Sequence, residues 1–247
     1  MVHPKRTGGG WLVLAGLVAL CVVPFVAGVV RLTELGRGAE ITPANARFFA
    51  SPVPVVLHIV CVSLFSVLGA FQFVLAFRRR FPRWHRRVGQ LLVVWGLGAA
   101  LTGLWMSHFY PWPEGDGTLV YAERLLFGSA MVGCMILGYT AVRRKDFAAH
   151  GAWLTRGYAL GMGAGTQVLT HLLWFLLVGK PGEFQRALLM GAAWVINLAV
   201  AEWSIRLQAP TAHHFNSKAT TTRTPSQHGD MTRRPVFSEE THETSPQ

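Results

Sequence analysis

The chain has 247 residues, 51% of them hydrophobic and 14% charged, with a formal net charge of +11. A soluble domain carries about 25% charged residues, so an ordinary globular enzyme is excluded, and the placement of the positive charge excludes a nucleic-acid groove. Cys21, Cys61 and Cys134 stand far apart in apolar runs and form neither a C-x-x-C pair nor a disulfide framework.

Six apolar segments follow in chain order, near 11–30, 53–77, 88–109, 122–142, 153–178 and 186–206. Each is long enough to cross a bilayer, whose hydrocarbon core of roughly 30 Å needs about 20 helical residues. A soluble core of six such helices would leave too little polar surface to cover it. The predicted fold class is therefore all-α, a polytopic integral membrane protein with six transmembrane helices in a domain over 1–206. The first segment follows Lys5 and Arg6 and looks like a secretory signal. Its apolar run exceeds the about 7–15 residues of a signal core and no A-x-A site closes it, so it reads as a retained anchor.

Orientation comes from basic residues in short loops. Arg78-Arg79-Arg80 through Arg86-Arg87 lie between spans two and three, and Arg143-Arg144-Lys145 between spans four and five. Six crossings put both on the same side as Lys5 and Arg6. The opposite loops mix Arg31, Arg37, Arg47 and Lys180 with Glu34, Glu40, Glu114, Asp116 and Glu183. The expectation is a bacterial inner-membrane protein with both termini cytoplasmic, its basic loops meeting anionic headgroups and no nucleic acid. From 207 to 247 the chain turns polar and low in complexity, which predicts a disordered cytoplasmic tail in which His213, His214, His228 and His242 have no structural role.

The two basic loops align. Arg78 stands seven residues ahead of His85, Arg143 seven ahead of His150, and the offset between the pairs is 65 residues. Spans two and three are read as a helical hairpin repeated in spans four and five, a four-helix core related by an axis along the membrane normal, with spans one and six outside it.

Ionisable side chains inside a bilayer are costly and are functional candidates. His58 in span two and His171 in span five fall at one depth, roughly 8–10 Å below the outer boundary at 1.5 Å per residue. His108 is a third candidate at that level, and His85 and His150 form an inner pair. Either pair would ligate haem iron, an imidazole being a usual axial ligand. Alternatively the outer histidines hydrogen-bond neighbouring helices and the inner ones touch lipid phosphate. A two-haem relay is disfavoured, because His150 and His171 lie 21 residues apart, roughly 31 Å along one helix. The position equivalent to a lower ligand in span two is Gln72.

Gln167 and His171 are i,i+4, so the amide is expected to orient the imidazole. Gly157, Gly161 and Gly165 form a small-residue stripe for close helix approach, Asn197 is expected to bond across helices, and Glu202 is expected to pair with Arg206. No P-loop, G-x-G-x-x-G, G-x-S-x-G or H-E-x-x-H motif occurs in a fitting context, and whether the chain is an enzyme stays open.

These residues assemble into a recognisable set. Pro54-x-x-x-His58, Gly69-x-x-Gln72-Phe73 and Arg80-x-Pro82-x-x-His85-Arg86-x-x-Gly89 come first. Arg144-Lys145-Asp146-x-x-x-His150-x-x-Trp153-Leu154-x-Arg156 and Trp194-x-x-Asn197-Leu198-x-x-x-Glu202-Trp203 follow. Over about 45–206 the chain resembles a bacterial family of predicted membrane proteins, domain of unknown function 2306. It departs where an arginine is expected in span five and Gln167 or a neighbour stands. The resemblance implies a polytopic helical membrane protein without an assigned activity, similar in general look to b-type cytochromes.

Two functional readings remain. One is a redox membrane protein binding b-type haem through His58 and His171 or through His85 and His150. The other is a non-enzymatic small-molecule or ion carrier, or a membrane assembly partner, with Gln72, Gln167, His171 and Asn197 lining a polar cavity.

Overall fold

The computed structural model describes residues 9–208. The expected disordered tail lies, from residue 209 onward, outside the described residues, and so do Lys5 and Arg6. Every regular element described is helical: α1 (Gly9–Arg37), α2 (Ala46–Ala50), α3 (Pro52–Ala70), a 3-10 turn (Phe71–Phe73), α4 (Leu75–Arg80), α5 (Pro82–Phe109), α6 (Thr118–Arg143), α7 (Phe147–Gly161), α8 (Gly163–Leu177) and α9 (Glu183–Gln208). Five of these, α1, α3 with its 3-10 turn, α5, α6 and α9, are each long and apolar enough to cross a membrane. α7 and α8, bent by 44° at Met162, pass the same test as a pair, and α9 packs along both halves, as it would along one bent crossing. The chain is an all-α polytopic membrane protein.

Helix boundaries follow local chemistry. α1 runs two turns past the apolar stretch that announced it, because Arg31-Leu-Thr-Glu34 continues the helix with an i,i+3 ion pair of 2.5 Å. It stops where Gly38 adopts φ +64° and the Ala39 amide turns back to the Glu34 carbonyl at 3.0 Å, the left-handed exit that glycine allows without penalty. Span two is shorter than expected. Rather than running to residue 77, its helix ends at Ala70, and Val74 goes extended (φ −83°, ψ 98°). The apolar side chains beyond build a corner: Phe77 meets Trp84 edge-on at 4.8 Å, and Phe71 lies 5.6 Å from Phe77. The basic stretch expected as a loop is correspondingly helical, split between α4 and the first turns of α5.

The pairs α3–α5 and α6–α7 pack most extensively. They share a core of Phe65, Ala70, Leu92, Ala100, Met131, Cys134, Met135, Tyr158 and Leu160. α1 seats against α3 and α8, and α9 against α6, α7 and α8. Among lipid-like surroundings such contacts depend on close packing and internal hydrogen bonds rather than on removal from water. Tyr158 supplies both: its ring lies over Gly69, where no Cβ would fit, and its hydroxyl donates to the Ser66 carbonyl at 2.7 Å.

The glycine-rich stretch in span five breaks the helix as well as packing it. α7 ends at Gly161 and α8 restarts at Gly163. Breaks at this depth survive only where neighbours satisfy the freed backbone. Asn197 of α9 does so, its Nδ2 donating to the Ala159 carbonyl at 3.1 Å while its Oδ1 accepts from Thr166 Oγ1 at 2.8 Å. Just past the break, Gly165 sits directly against the backbone carbonyl of Leu20 in α1. Backbone cannot move aside as a side chain can. Gly165→Leu is therefore expected to destabilise the detergent-solubilised protein by about 1–3 kcal/mol through overpacking, read as a lower thermal midpoint. Gly133→Ala, where a new Cβ meets nothing within 4 Å, leaves the midpoint within a degree or two.

Candidate functional site

Polar side chains collect at the two ends of the bundle. At the end away from the arginine-rich turns, α3 presents His58 to α5. Its Nδ1 lies 2.9 Å from the Ala99 carbonyl and 3.1 Å from Thr102 Oγ1. A carbonyl only accepts, so the ring proton sits on Nδ1 and Nε2 carries the lone pair. His171 of α8 has the same tautomer for a different reason, its Nδ1 donating at 2.8 Å to the carbonyl of Gln167, one turn back on its own helix. The Gln167 side chain thus does not orient this ring; its backbone does.

His58 and His171 each spend Nδ1 on a different element, and no hydrogen bond joins them. Their equal depth was counted along a straight fifth helix, whereas the 44° bend carries α8 off the line of α7. His108 bonds the Tyr121 hydroxyl at 2.9 Å, tying the end of α5 to α6.

Behind His58 lies a cavity of about 370 Å³, walled by Gly103, Phe127, Leu160, Gln167 and Trp194 and roofed by Tyr110–Pro113. The Gln167 Nε2 is buried without a hydrogen-bond partner. The remaining residues nominated for a polar cavity lie elsewhere. Gln72 occupies the 3-10 turn at the opposite end of α3, both of its amide atoms buried and unpartnered. Asn197 is committed to the helix break.

The roof is pinned by charge. Asp116, its side chain 1% exposed, pairs with Arg124 and with Arg186, each at 2.6 Å, so one carboxylate joins the α5–α6 loop, α6 and α9. Arg47 donates to the Pro111 carbonyl at 3.2 Å and stacks on the Phe48 ring at 4.7 Å. Burial holds its guanidinium below the ordinary arginine value, with the Asp116 carboxylate opposing that drop. Burial also raises Tyr110 above the usual phenol value, and its hydroxyl donates to the Ser51 carbonyl at 2.5 Å. Sequence reading counted Asp116 only as one acid in a mixed loop. The available signal was an acid between Gly115 and Gly117 immediately ahead of a helix, where negative charge is favoured.

At the arginine-rich end the repeat becomes geometry. Phe81 and Asp146 cap α5 and α7, and His85 and His150 are each the fourth residue of their helix. Each histidine amide makes the helix's first bond back to its cap, at 3.0 Å in both cases. The 65-residue offset thus covers cap, helix start and histidine alike. His150 donates Nδ1–H to the Gly138 carbonyl at 2.9 Å, which leaves Nε2 as its lone-pair nitrogen. His85 keeps a buried Nδ1 with no partner, within the electrostatic reach of His150, Arg78 and Arg86. One turn beyond it, at Gly89, a Cβ would meet nothing within 4 Å, so the face next to the imidazole is open. Of the two nominated pairs, this is the one whose members share the same position at the start of a helix.

Glu202 is paired, but not with the partner its spacing predicted. Both of its oxygens take the guanidinium of Arg156 across the α7–α9 contact, the second at 3.0 Å from Nη2, and Arg156 also lies 4.8 Å over the Trp153 ring. A planar fork meeting a carboxylate on the facing helix outcompetes an i,i+4 arginine near the helix end. Among the described residues no three His, Cys, Asp or Glu side chains converge as a metal-ion site.

A family model described as predicted membrane protein, DUF2306, matches residues 55–205. No curated protein and no solved structure matches the chain. Asp116→Asn is expected to cost about 3–5 kcal/mol, since it leaves two guanidiniums without their buried partner, and to lower the thermal midpoint accordingly. Glu34→Gln, in a half-buried i,i+3 pair within one helix, is expected to cost about 1 kcal/mol or less.

Proposed function

The chain belongs to the DUF2306 family of predicted membrane proteins, and on that footing we propose that it is an electron-transfer membrane protein holding a b-type haem between His85 and His150. The supporting observation is the shared placement of the two histidines, each the fourth residue of a helix that begins at the arginine-rich end and each bonded through its amide to the cap position. Haem iron takes an imidazole through one nitrogen while the other donates to a carbonyl or similar acceptor. His150 already has that arrangement through Gly138. His85 has an unsatisfied ring nitrogen and open space at Gly89. The arginines nearby, Arg78 and Arg86 among them, match in sign the two carboxylates that haem carries.

Bound there, haem would supply one-electron exchange. The chain's own residues would hold it, set the imidazole tautomer through Gly138, and counter its carboxylates. The arginine-rich end is proposed to face the cytoplasm of a bacterial inner membrane, with both termini on that side and anionic headgroups against the basic turns.

Protein purified in detergent after expression with ample haem is expected to show a Soret band and a reduced-minus-oxidised difference spectrum. His85→Ala or His150→Ala abolishes both, while His58→Ala and His171→Ala retain them. Wild-type protein without a Soret band, or a band that survives loss of both inner histidines, overturns the proposal.

A further inference from the structure

The cavity behind His58 lies at the other end of the bundle from the proposed haem position and raises a separate question. We propose that it binds a neutral, ring-bearing apolar molecule that carries a phenolic hydroxyl and a second oxygen able to accept a hydrogen bond.

Four observations define that chemistry. The first is size: about 370 Å³ falls within the roughly 300–1,000 Å³ of small-molecule sites. The second is the wall, where Phe127 and Trp194 stack at 4.7 Å with an interplanar angle of 28° and line the cavity together. They offer flat apolar surface to a ring. The third is His58. Its Nδ1 proton is committed to the Ala99 carbonyl and Thr102, so the nitrogen left for a ligand is an acceptor and calls for a hydroxyl hydrogen. The fourth is Gln167, which lines the cavity and whose buried Nε2 has no partner among the described residues, so that a turn of its side-chain amide presents a donor to a ligand. A buried donor left unpaired costs about 1–3 kcal/mol, and a ligand oxygen accepting from it removes that cost.

The neutrality of the ligand is read from the deep end of the cavity, the guanidiniums at its rim being already engaged. Arg124 is already paired with Asp116, and Arg47 is held by the Pro111 carbonyl and the Phe48 ring. The deep polar groups, one acceptor and one amide donor, are both uncharged. Gly103 keeps the site open beside the imidazole, since a Cβ there would lie 3.3 Å from His58 Cε1.

The probes are butyl 4-hydroxybenzoate, which has the hydroxyl and an ester oxygen, its methyl ether butyl 4-methoxybenzoate, and the anion 4-butylbenzoate. Binding to the full chain in detergent is followed by titration calorimetry. Expected is saturable one-to-one binding of the phenol, with the ether weaker by about tenfold for the lost hydrogen bond and the anion no tighter than the ether. In His58→Phe the phenol and the ether bind alike. In Gln167→Leu both weaken several-fold, and the gap between them stays. The comparison of phenol with ether on the wild-type chain needs no variant to fold. Equal wild-type affinities, no saturable binding of the phenol, or tightest binding by 4-butylbenzoate overturns the inference. None of these outcomes bears on the haem spectrum, so the two proposals fail separately.

Discussion

Inside the hydrocarbon layer no water is available to a free N–H or C=O, so a polar group there must find its partner within the protein. That constraint organises this structure more than any single apolar contact does. The Tyr158 hydroxyl is spent on Ser66, Asn197 on Ala159 and Thr166, Arg156 on Glu202, and His58 on Ala99 and Thr102. Against a background so fully paired, the exceptions carry information. Leaving aside Asp116 Oδ2, which has its ion pair with Arg124, the buried atoms without a hydrogen-bond partner are His85 Nδ1, both amide atoms of Gln72, Glu123 Oε2, Gln167 Nε2 and Trp174 Nε1. Of these residues Gln167 lines the cavity and His85 stands at the arginine-rich end.

The two ends solve different problems with the same hairpin. At the arginine-rich end α5 and α7 begin alike, each with a cap-position residue, three residues and a histidine. At the opposite end α8 bends by 44° from α7, and the cavity is flanked by a loop pinned through Asp116 to two arginines. A single carboxylate between two guanidiniums ties the α5–α6 loop to α6 and α9. Its burial makes it costly to remove.

How much of this was legible in the residues depended on the range of the interaction. The six apolar runs, the repeat around His85 and His150 and the cross-helix role of Asn197 follow from hydropathy, offset and depth, all of which are local. Four features were not legible. The bend between α7 and α8 is one, since periodicity carries no sign that Gly161-Met162-Gly163 bends rather than merely packs. Glu202 was paired by i,i+4 spacing, although its actual partner, Arg156, is 46 residues away. Asp116 gains its role from Arg124 and Arg186, which only the assembled bundle brings to it. Span two ends early because aromatic side chains beyond Ala70 prefer one another at a corner to a longer helix, a choice made in three dimensions.

The account rests on the claim that the unsatisfied ring at His85 and the carbonyl-oriented ring at His150 face one common ligand. Electron paramagnetic resonance of the ferric protein tests it most directly, because axial ligation sets the spin state of the iron. The account predicts a low-spin signal of two imidazoles in the wild type, converted to high spin or lost when either His85 or His150 alone is replaced by alanine. A signal indifferent to both replacements, or one that changes instead with His58 or His171, would contradict it.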